Sequence, residues 1–219
     1  MTRRRPARLA ALTLTAAAAL TLSACGGDDS NSDGKDKIAG ADTGDKASAS
    51  PTPSESTAEG APEITFPSGA KNIFEGEKTG DAQKDAVLAA NTLSVNAVDE
   101  AIFKGSTDTK ALGFYNADKA LSSSITYVQG YIESNDTWIG VTRYFDRKVT
   151  LKGDGKAYVT YCSDESKSYI KNKKSGKVDK SAASADSYVL YNTALTKNAA
   201  GVWQTTDIAS KRGDEACQP

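Results

Sequence analysis

The sequence predicts an α+β domain in which N-terminal helices pack on a curved antiparallel sheet of four to five strands. Between residues 81 and 135, apolar residues recur at three- and four-residue spacing, which is typical of amphipathic helices. From residue 138 onward the spacing changes to two, and Gly- and Asn-containing turns interrupt it, as in an antiparallel meander. Residues 81–219 have the length of one domain, and the sequence contains no internal repeat.

Three helices are predicted first. Asp81 can cap the first helix with its side chain, and Gly105 can end it in the left-handed conformation. A second helix is predicted from about residue 107, and a third follows residue 116 or 118 and ends by residue 135. The apolar stripe of the first helix has one polar member, Asn91. The stripe consists of Val87, Asn91, Val95, Val98 and Ile102.

The strands follow the helices. Residues 138–151 predict one long strand or two short ones, and Gly153-Asp154-Gly155 predicts a tight hairpin after them. Before the helices, residues 62–80 mix apolar residues with Pro and Gly, and they predict an ordered, irregular arm lying on the domain. The remaining strands are predicted at 157–162, 168–172, 187–196 and 202–208.

Residues 1–24 have the composition of a secretory signal peptide that ends in a lipobox. Four arginines precede an apolar stretch from Leu9 to Leu22, which is shorter than the roughly 20 residues that span a bilayer. Leu22-Ser23-Ala24-Cys25 then predicts that a diacylglycerol is attached to the Cys25 thiol and that the chain is cleaved before it. This interpretation places the protein on the extracytoplasmic face of the cell membrane, held by its lipid. An ordinary secreted protein cleaved after Ala24 is the alternative, and the export route, Sec or Tat, stays open.

The segment 25–61 is predicted to be the lipidated cysteine followed by a disordered tether. Its residues are mainly Gly, Asp, Ser, Ala, Lys, Thr and Pro, and Ile38 is the one large apolar residue. Such a segment cannot bury enough apolar surface to offset its chain entropy.

Charge argues against nucleic acid as a partner. Residues 1–24 carry four of the 27 basic residues and none of the 28 acidic ones, so the mature chain would be negatively charged. The Lys-rich stretch 171–180 alternates with Asn, Ser, Gly and Asp, which predicts a solvated turn. We expect a monomer that binds no nucleic acid.

The three cysteines agree with export. With Cys25 assigned to lipid, Cys162 and Cys217 remain and are predicted to form a disulfide. A metal site, the alternative for this pair, would need closer thiolate spacing or imidazoles, and the chain contains no histidine. The same absence excludes catalytic triads and histidine proton shuttles. We expect neither a metal nor a cofactor.

The predicted order of arm, long helix, short helix, third helix and twisted sheet resembles the nuclear transport factor 2-like (cystatin-like) fold, which also houses ketosteroid isomerases and polyketide cyclases. More narrowly, Phe74-Glu75-Gly76-Glu77-Lys78-Thr79-Gly80-Asp81, Tyr161-Cys162-Ser163-Asp164 and Cys217 resemble actinobacterial lipoproteins of unassigned function. The resemblance covers about residues 62–219 and implies no established activity.

Two functions are compatible with these features. The preferred one is a non-catalytic module, with no catalytic residue, that binds an apolar small molecule, a glycan or another envelope protein. The alternative, implied by the resemblance, is a small-molecule enzyme of ketosteroid-isomerase or polyketide-cyclase type that uses Asp and Tyr in a pocket between helices and sheet. The residues predicted for such a pocket are Trp138, Tyr144, Tyr161, Tyr191, Trp203 and Asp207.

Overall fold

The computed structural model describes residues 60–219. The predicted signal peptide, the lipobox with Cys25 and nearly all of the predicted tether lie outside the described residues. Within residues 60–219, no helix is both long and apolar enough to cross a membrane.

Three helices and five strands are the main elements of the described chain, and the predicted fold class, α+β with helices packed on a sheet, is confirmed, although the sheet is mixed and not purely antiparallel. The strands form one sheet in the order β1-β2-β3-β4-β5, in which β1 is parallel to β2 and the later pairs are antiparallel. The elements are β1 (Ala70–Phe74), α1 (Ala82–Lys104), α2 (Lys110–Tyr115), α3 (Asp118–Ser134), β2 (Asp136–Gly153), β3 (Lys156–Asn172), β4 (Tyr188–Lys197) and β5 (Trp203–Arg212).

The caps predicted for the first helix are present. The Asp81 side chain accepts hydrogen bonds from the backbone N–H groups of Gln83 and Lys84, and Gly105 ends α1 with a φ of 64°. These caps satisfy backbone groups that the helix itself leaves without partners.

The arm is more regular than the sequence predicted, because residues 70–74 form the edge strand β1. Ala70 lies opposite Gly140 and Phe74 opposite Tyr144 in a parallel pairing. Alternate residues of β1 face the domain, with Ala70 buried and Asn72 and Phe74 half-buried. The prediction of an irregular arm was therefore wrong for these five residues.

The long strands β2 and β3 differ from the sequence prediction in one respect. β3 is continuous from Lys156 to Asn172, whereas the polar residues between 163 and 167 had predicted a break. The β2–β3 register shifts at Val141/Arg143 and again at Phe145/Lys148. Such bulges bend strands and re-aim side chains, so the sheet curves around the helices.

The core is divided into two main clusters along α1. The first surrounds Val87 and Leu88 of α1 together with Trp203 of β5, and the second surrounds Ala101 and Ile102 of α1 together with Trp138 of β2. Between these clusters, one face of α1 is turned to the space between helices and sheet and consists of Asn91, Ser94, Val95, Val98 and Asp99.

The predicted disulfide is confirmed. Cys162 of β3 is bonded to Cys217, with their Cα atoms 5.6 Å apart. A loop of this length contributes about 4 kcal/mol in the chain-entropy model. The bond fastens the tail, including the short 3-10 turn Glu215–Cys217, to the sheet.

Candidate ligand-binding cavity

A cavity of about 620 Å³ lies between α1, α3 and the inner face of the sheet. Most of its lining side chains carry hydroxyl, amide or carboxyl groups. The helices contribute Asn91, Ser94, Val95, Val98, Asp99, Ser123, Ser124, Tyr127 and Tyr131. The strands contribute Trp138, Thr142, Tyr144, Tyr161, Glu165, Ser166, Ser168, Tyr169, Ile170, Val189, Tyr191, Thr193, Thr205, Ile208, Ser210 and Arg212.

Three tyrosines on consecutive strands form an aromatic wall, defined here as Tyr144, Tyr161 and Tyr191. The Tyr161 and Tyr191 rings are stacked with centroids 5.0 Å apart, and Tyr144 meets Tyr161 edge-on at 6.0 Å. Phe74 of β1 stacks on Tyr144 at 4.6 Å and extends the row. The wall offers a broad apolar surface to a ligand.

Asp99 of α1 lies at one end of the cavity. Its Oδ1 accepts a hydrogen bond from Trp138 Nε1 at 3.1 Å, and its Oδ2 accepts one from Asn72 Nδ2 at 2.7 Å. Burial raises the pKa of Asp99 to about 7, although these two hydrogen bonds act in the opposite direction. This carboxyl group therefore changes its protonation near neutral pH.

Arg147 of β2 lies behind the opposite end of the cavity. One guanidinium nitrogen, Nη2, donates to Leu88 O at 2.7 Å, to Thr92 Oγ1 at 2.9 Å and to Asn91 Oδ1 at 3.2 Å. Its other two nitrogens are buried and have no hydrogen-bond partner within residues 60–219. Burial lowers the pKa of Arg147 to about 10, so the guanidinium remains charged at neutral pH.

The position of Arg147 results from a bulge. Phe145 pairs with Cys162 and Lys148 with Thr160, so two residues of β2 stand opposite Tyr161. Asp146 has a φ of 51° there, and it is exposed while Arg147 is buried. Without the bulge, strict alternation after Tyr144 would have pointed Asp146 inward.

Two buried polar atoms of cavity-lining residues have no hydrogen-bond partner within the described chain. They are Asn91 Nδ2 and Thr205 Oγ1, on side chains that are 1% and 2% exposed. Arg147 determines the orientation of the Asn91 amide, because Oδ1 accepts from the guanidinium and Nδ2 is left to donate elsewhere. We call Asn91 and Tyr161, which lie next to each other, the deep end of the cavity.

Comparisons with known proteins give similarity at the level of structure alone. No family model matches the sequence, and no curated protein matches it. A ketosteroid isomerase-like protein from Erwinia carotovora atroseptica is 16% identical, with a TM-score of 0.40 over 60% of this chain and 97% of that chain. Aln2 from a Streptomyces species is 11% identical, with a TM-score of 0.42 over 64% and 97% of the two chains. Similarities of this degree carry no information on activity.

The rim of the cavity, defined here as residues 179–187, is irregular and largely exposed. Arg212 connects it to the sheet, because its Nη1 donates to Asp186 O at 2.6 Å and to Glu165 Oε2 at 2.8 Å. Gln218 Nε2 of the tail donates to Ala185 O at 3.1 Å. The rim is thus tied to the tail that the disulfide fastens.

The structure brings four of the six predicted pocket residues together. Trp138, Tyr144, Tyr161 and Tyr191 line the cavity. Trp203 instead packs in the first core cluster.

Asp207, the sixth predicted pocket residue, is exposed on β5 and does not line the cavity. The cause is a register shift, in which Leu195 pairs with Thr205 and Ala194 with Asp207. Thr206 therefore has no partner on β4. Before it, the odd-numbered residues of β5 face the interior, and after it the even-numbered residues do.

Sequence reasoning missed Asp99 and Arg147. A signal for Asp99 existed, since it is eight residues after Asn91 and next to Val98 on the predicted stripe. No sequence signal marked Arg147. Among residues 60–219, no group of three or more Cys, Asp or Glu side chains is arranged to hold a metal ion.

Proposed function

We propose that this protein is an extracytoplasmic lipoprotein, anchored to the cell membrane through Cys25, whose domain binds a small molecule in the cavity without transforming it. The anchor is supported by the basic and apolar residues before Leu22-Ser23-Ala24-Cys25. It is also supported by the cysteine count, because the Cys162–Cys217 bond leaves Cys25 as the third cysteine. The resemblance to actinobacterial lipoproteins also supports a lipid anchor at Cys25.

The observation that carries ligand binding is the cavity with its two buried atoms that lack partners. Its volume of about 620 Å³ falls within the range of about 300–1,000 Å³ that small-molecule sites occupy. An unpaired buried polar group costs about 1–3 kcal/mol, which a ligand atom bonded to Asn91 Nδ2 or Thr205 Oγ1 would recover. The aromatic wall would hold the apolar body of the same ligand.

A small apolar molecule fits the site better than a glycan. Sugar rings stack on free indole faces, whereas Trp203 packs in the first core cluster away from the cavity and the rings of Phe66 and Phe103 pack on Trp138. Trp138 also donates its Nε1–H to Asp99 and is held in place by that bond.

An enzyme of isomerase or cyclase type is the second candidate, and Asp99 favours it. A general base is most effective when its pKa lies near the working pH, and burial raises the pKa of Asp99 to about 7. Both oxygens of Asp99 already accept hydrogen bonds, so in the preferred proposal this carboxyl group orients the ligand instead of removing a proton.

Ligand binding can be tested with N-phenyl-1-naphthylamine, a neutral aromatic probe that fluoresces in apolar surroundings. The full chain with Cys25→Ala, in buffer without detergent because micelles take up the probe, should bind it, and Val98→Trp should weaken binding at least about tenfold because the indole would occupy part of the cavity. Ile125→Trp is the matched control, since Ile125 is exposed on α3 and does not line the cavity. Absence of wild-type binding, or equal loss in both variants, would contradict the proposal.

The anchor can be tested by mass spectrometry of the mature N-terminal peptide. We expect a peptide that begins at Cys25 and carries the mass of a diacylglycerol. Ser23→Ala keeps the thiol and should give the same modified peptide, whereas Cys25→Ala should abolish it. An unmodified wild-type peptide that begins at Cys25 would show an ordinary secreted protein.

A further inference from the structure

The two ends of the cavity differ in charge and in hydrogen-bonding character. Asn91 and Asp99 lie eight residues apart on α1, which corresponds to about 12 Å along a helix. The deep end offers the Asn91 amide N–H and the Tyr161 hydroxyl, while the opposite end offers the Asp99 carboxyl group.

A fixed positive charge stands behind the deep end. The Arg147 guanidinium is 8% exposed, and no carboxylate forms an ion pair with it within residues 60–219. Glu77, whose charge acts on it from a distance, is exposed to solvent. A buried charge without a partner is costly, and its field in a low-dielectric interior extends over several atoms.

Arg147 acts on the cavity through its neighbours. Its bond to Asn91 Oδ1 leaves the Asn91 amide N–H to donate toward Tyr161 and the cavity. Burial raises the pKa of Tyr161, and Asn91 and Arg147 act in the opposite direction without cancelling that increase. The positive charge of Arg147 favours an anionic group at the deep end.

The carboxyl groups of the lining lie away from the deep end. Asp99 lies at the far end, and Asp179 and Asp186 lie on the rim, while the charge of Glu165 is balanced by Arg212. Asp99, Asp179 and Asp186 disfavour an anion beside them.

We infer that the ligand is a small amphiphile with an anionic oxygen group, of the carboxylate class, which the deep end binds through Asn91 and Tyr161 with Arg147 behind them. This inference rests on the proposed function and adds the ligand's chemical class and its orientation. The apolar body then lies along the aromatic wall toward Trp138. Arg147 is a positioning residue, because it reaches the ligand only through Asn91.

The test compares two isosteric competitors that displace N-phenyl-1-naphthylamine from the full chain with Cys25→Ala. 1-Naphthylacetate carries a carboxylate, and 1-naphthylacetamide carries a neutral amide in its place. We expect the wild type to bind the carboxylate at least about tenfold more tightly. Equal affinities, or a preference for the amide, would overturn the inference even if the fluorescent probe binds as proposed.

Asn91→Asp sharpens the comparison. The change keeps the shape of the side chain, gives Arg147 a carboxylate partner, and replaces the donor at the deep end by an acceptor. Binding of 1-naphthylacetate should fall at least about tenfold more than binding of the neutral fluorescent probe. Gln83→Glu, an exposed amide-to-carboxylate change on the same helix, is the matched control and should alter neither.

The outcomes separate the two proposals. If the wild type binds no fluorescent probe, the cavity does not bind small molecules and both proposals fail. If the probe binds but Asn91→Asp weakens probe and carboxylate equally, ligand binding stands and the assignment of the deep end is wrong. If Asn91→Asp does not fold, the wild-type preference between the two competitors still decides.

Discussion

Thr205 and Thr193 are equally buried on neighbouring strands, yet their hydroxyls differ in hydrogen bonding. Thr193 Oγ1 donates to Val159 O at 3.1 Å, whereas Thr205 Oγ1 has no partner within residues 60–219. Thr193→Val should therefore destabilise the domain by about 1 kcal/mol, and Thr205→Val should be neutral or stabilising. Urea unfolding of the two variants measures the difference. A larger loss in Thr205→Val would mean that its hydroxyl is already satisfied.

Asp99 should make stability depend on pH. Burial raises its pKa to about 7, from an ordinary value of 3.8. Between these values the folded chain keeps a proton that the unfolded chain has released, so the free energy of unfolding falls as pH rises. The contribution is complete below the ordinary pKa and is lost by about pH 7, by at most about 4 kcal/mol.

Asp99→Asn cannot release this proton, so its stability should lack that part of the pH dependence. Its free energy of unfolding should rise relative to the wild type between about pH 4 and about pH 7. The substitution also changes the hydrogen bonds to Asn72 and Trp138, and this shifts the free energy of unfolding by the same amount at every pH. It therefore does not affect how the difference between the two proteins changes with pH. Parallel pH curves for the two proteins would show that Asp99 titrates at its ordinary pKa.

For individual residues, the sequence showed where polar residues interrupt an apolar pattern but not which residues they contact in the fold. Asn91 was visible as the polar member of an apolar stripe, but its partner Arg147 is 56 residues away and is turned inward by a bulge. The prediction of Asp207 as a pocket residue was wrong for a similar reason. The extra residue Thr206 shifts the register of β5, so Asp207 points outward and not into the cavity. Single extra residues in strands leave no mark on sequence periodicity.

Among the secondary-structure elements, β2 depends on a close backbone approach at Gly140. This residue has a φ of 99°, its N–H donates to Gly69 O, and an added Cβ would overlap the carbonyl oxygen of Lys167. Gly140→Ala should destabilise the domain by more than about 2 kcal/mol. Gly130→Ala, in the exposed part of α3 with open space around it, should stabilise by about 0.5–1 kcal/mol. Thermal unfolding of both variants provides the measurement, and a tolerated Gly140→Ala would contradict this register.

The helices and the antiparallel meander could be predicted because their signals are local. Caps, spacing and turns all lie within a few residues of the elements that they define. β1 could not be found in this way, because its parallel partner begins 70 residues later and its five residues follow Pro67 and Gly69. The continuity of β3 was missed because its middle, from Ser163 to Lys167, is polar on both faces.

Across the whole molecule, the tail controls how firmly the rim is held. Gln218 Nε2 bonds to Ala185 O, and the adjacent Cys217 is bonded to β3. Gln218→Ala should therefore speed amide hydrogen exchange in residues 181–187 while the free energy of unfolding changes by less than about 1 kcal/mol. Gln129→Ala, which removes an exposed bond to Glu133 on α3, is the control and should leave the rim unchanged. Unaltered exchange in Gln218→Ala would show that Arg212 alone holds the rim.

The disulfide also has a consequence for maturation. Its two cysteines are 55 residues apart and come from β3 and the tail, so the loop that the bond closes contains both β4 and β5. If Cys25 is acylated as proposed, each remaining thiol has a single possible intramolecular partner, and the exported chain needs no isomerase to correct mispaired bonds.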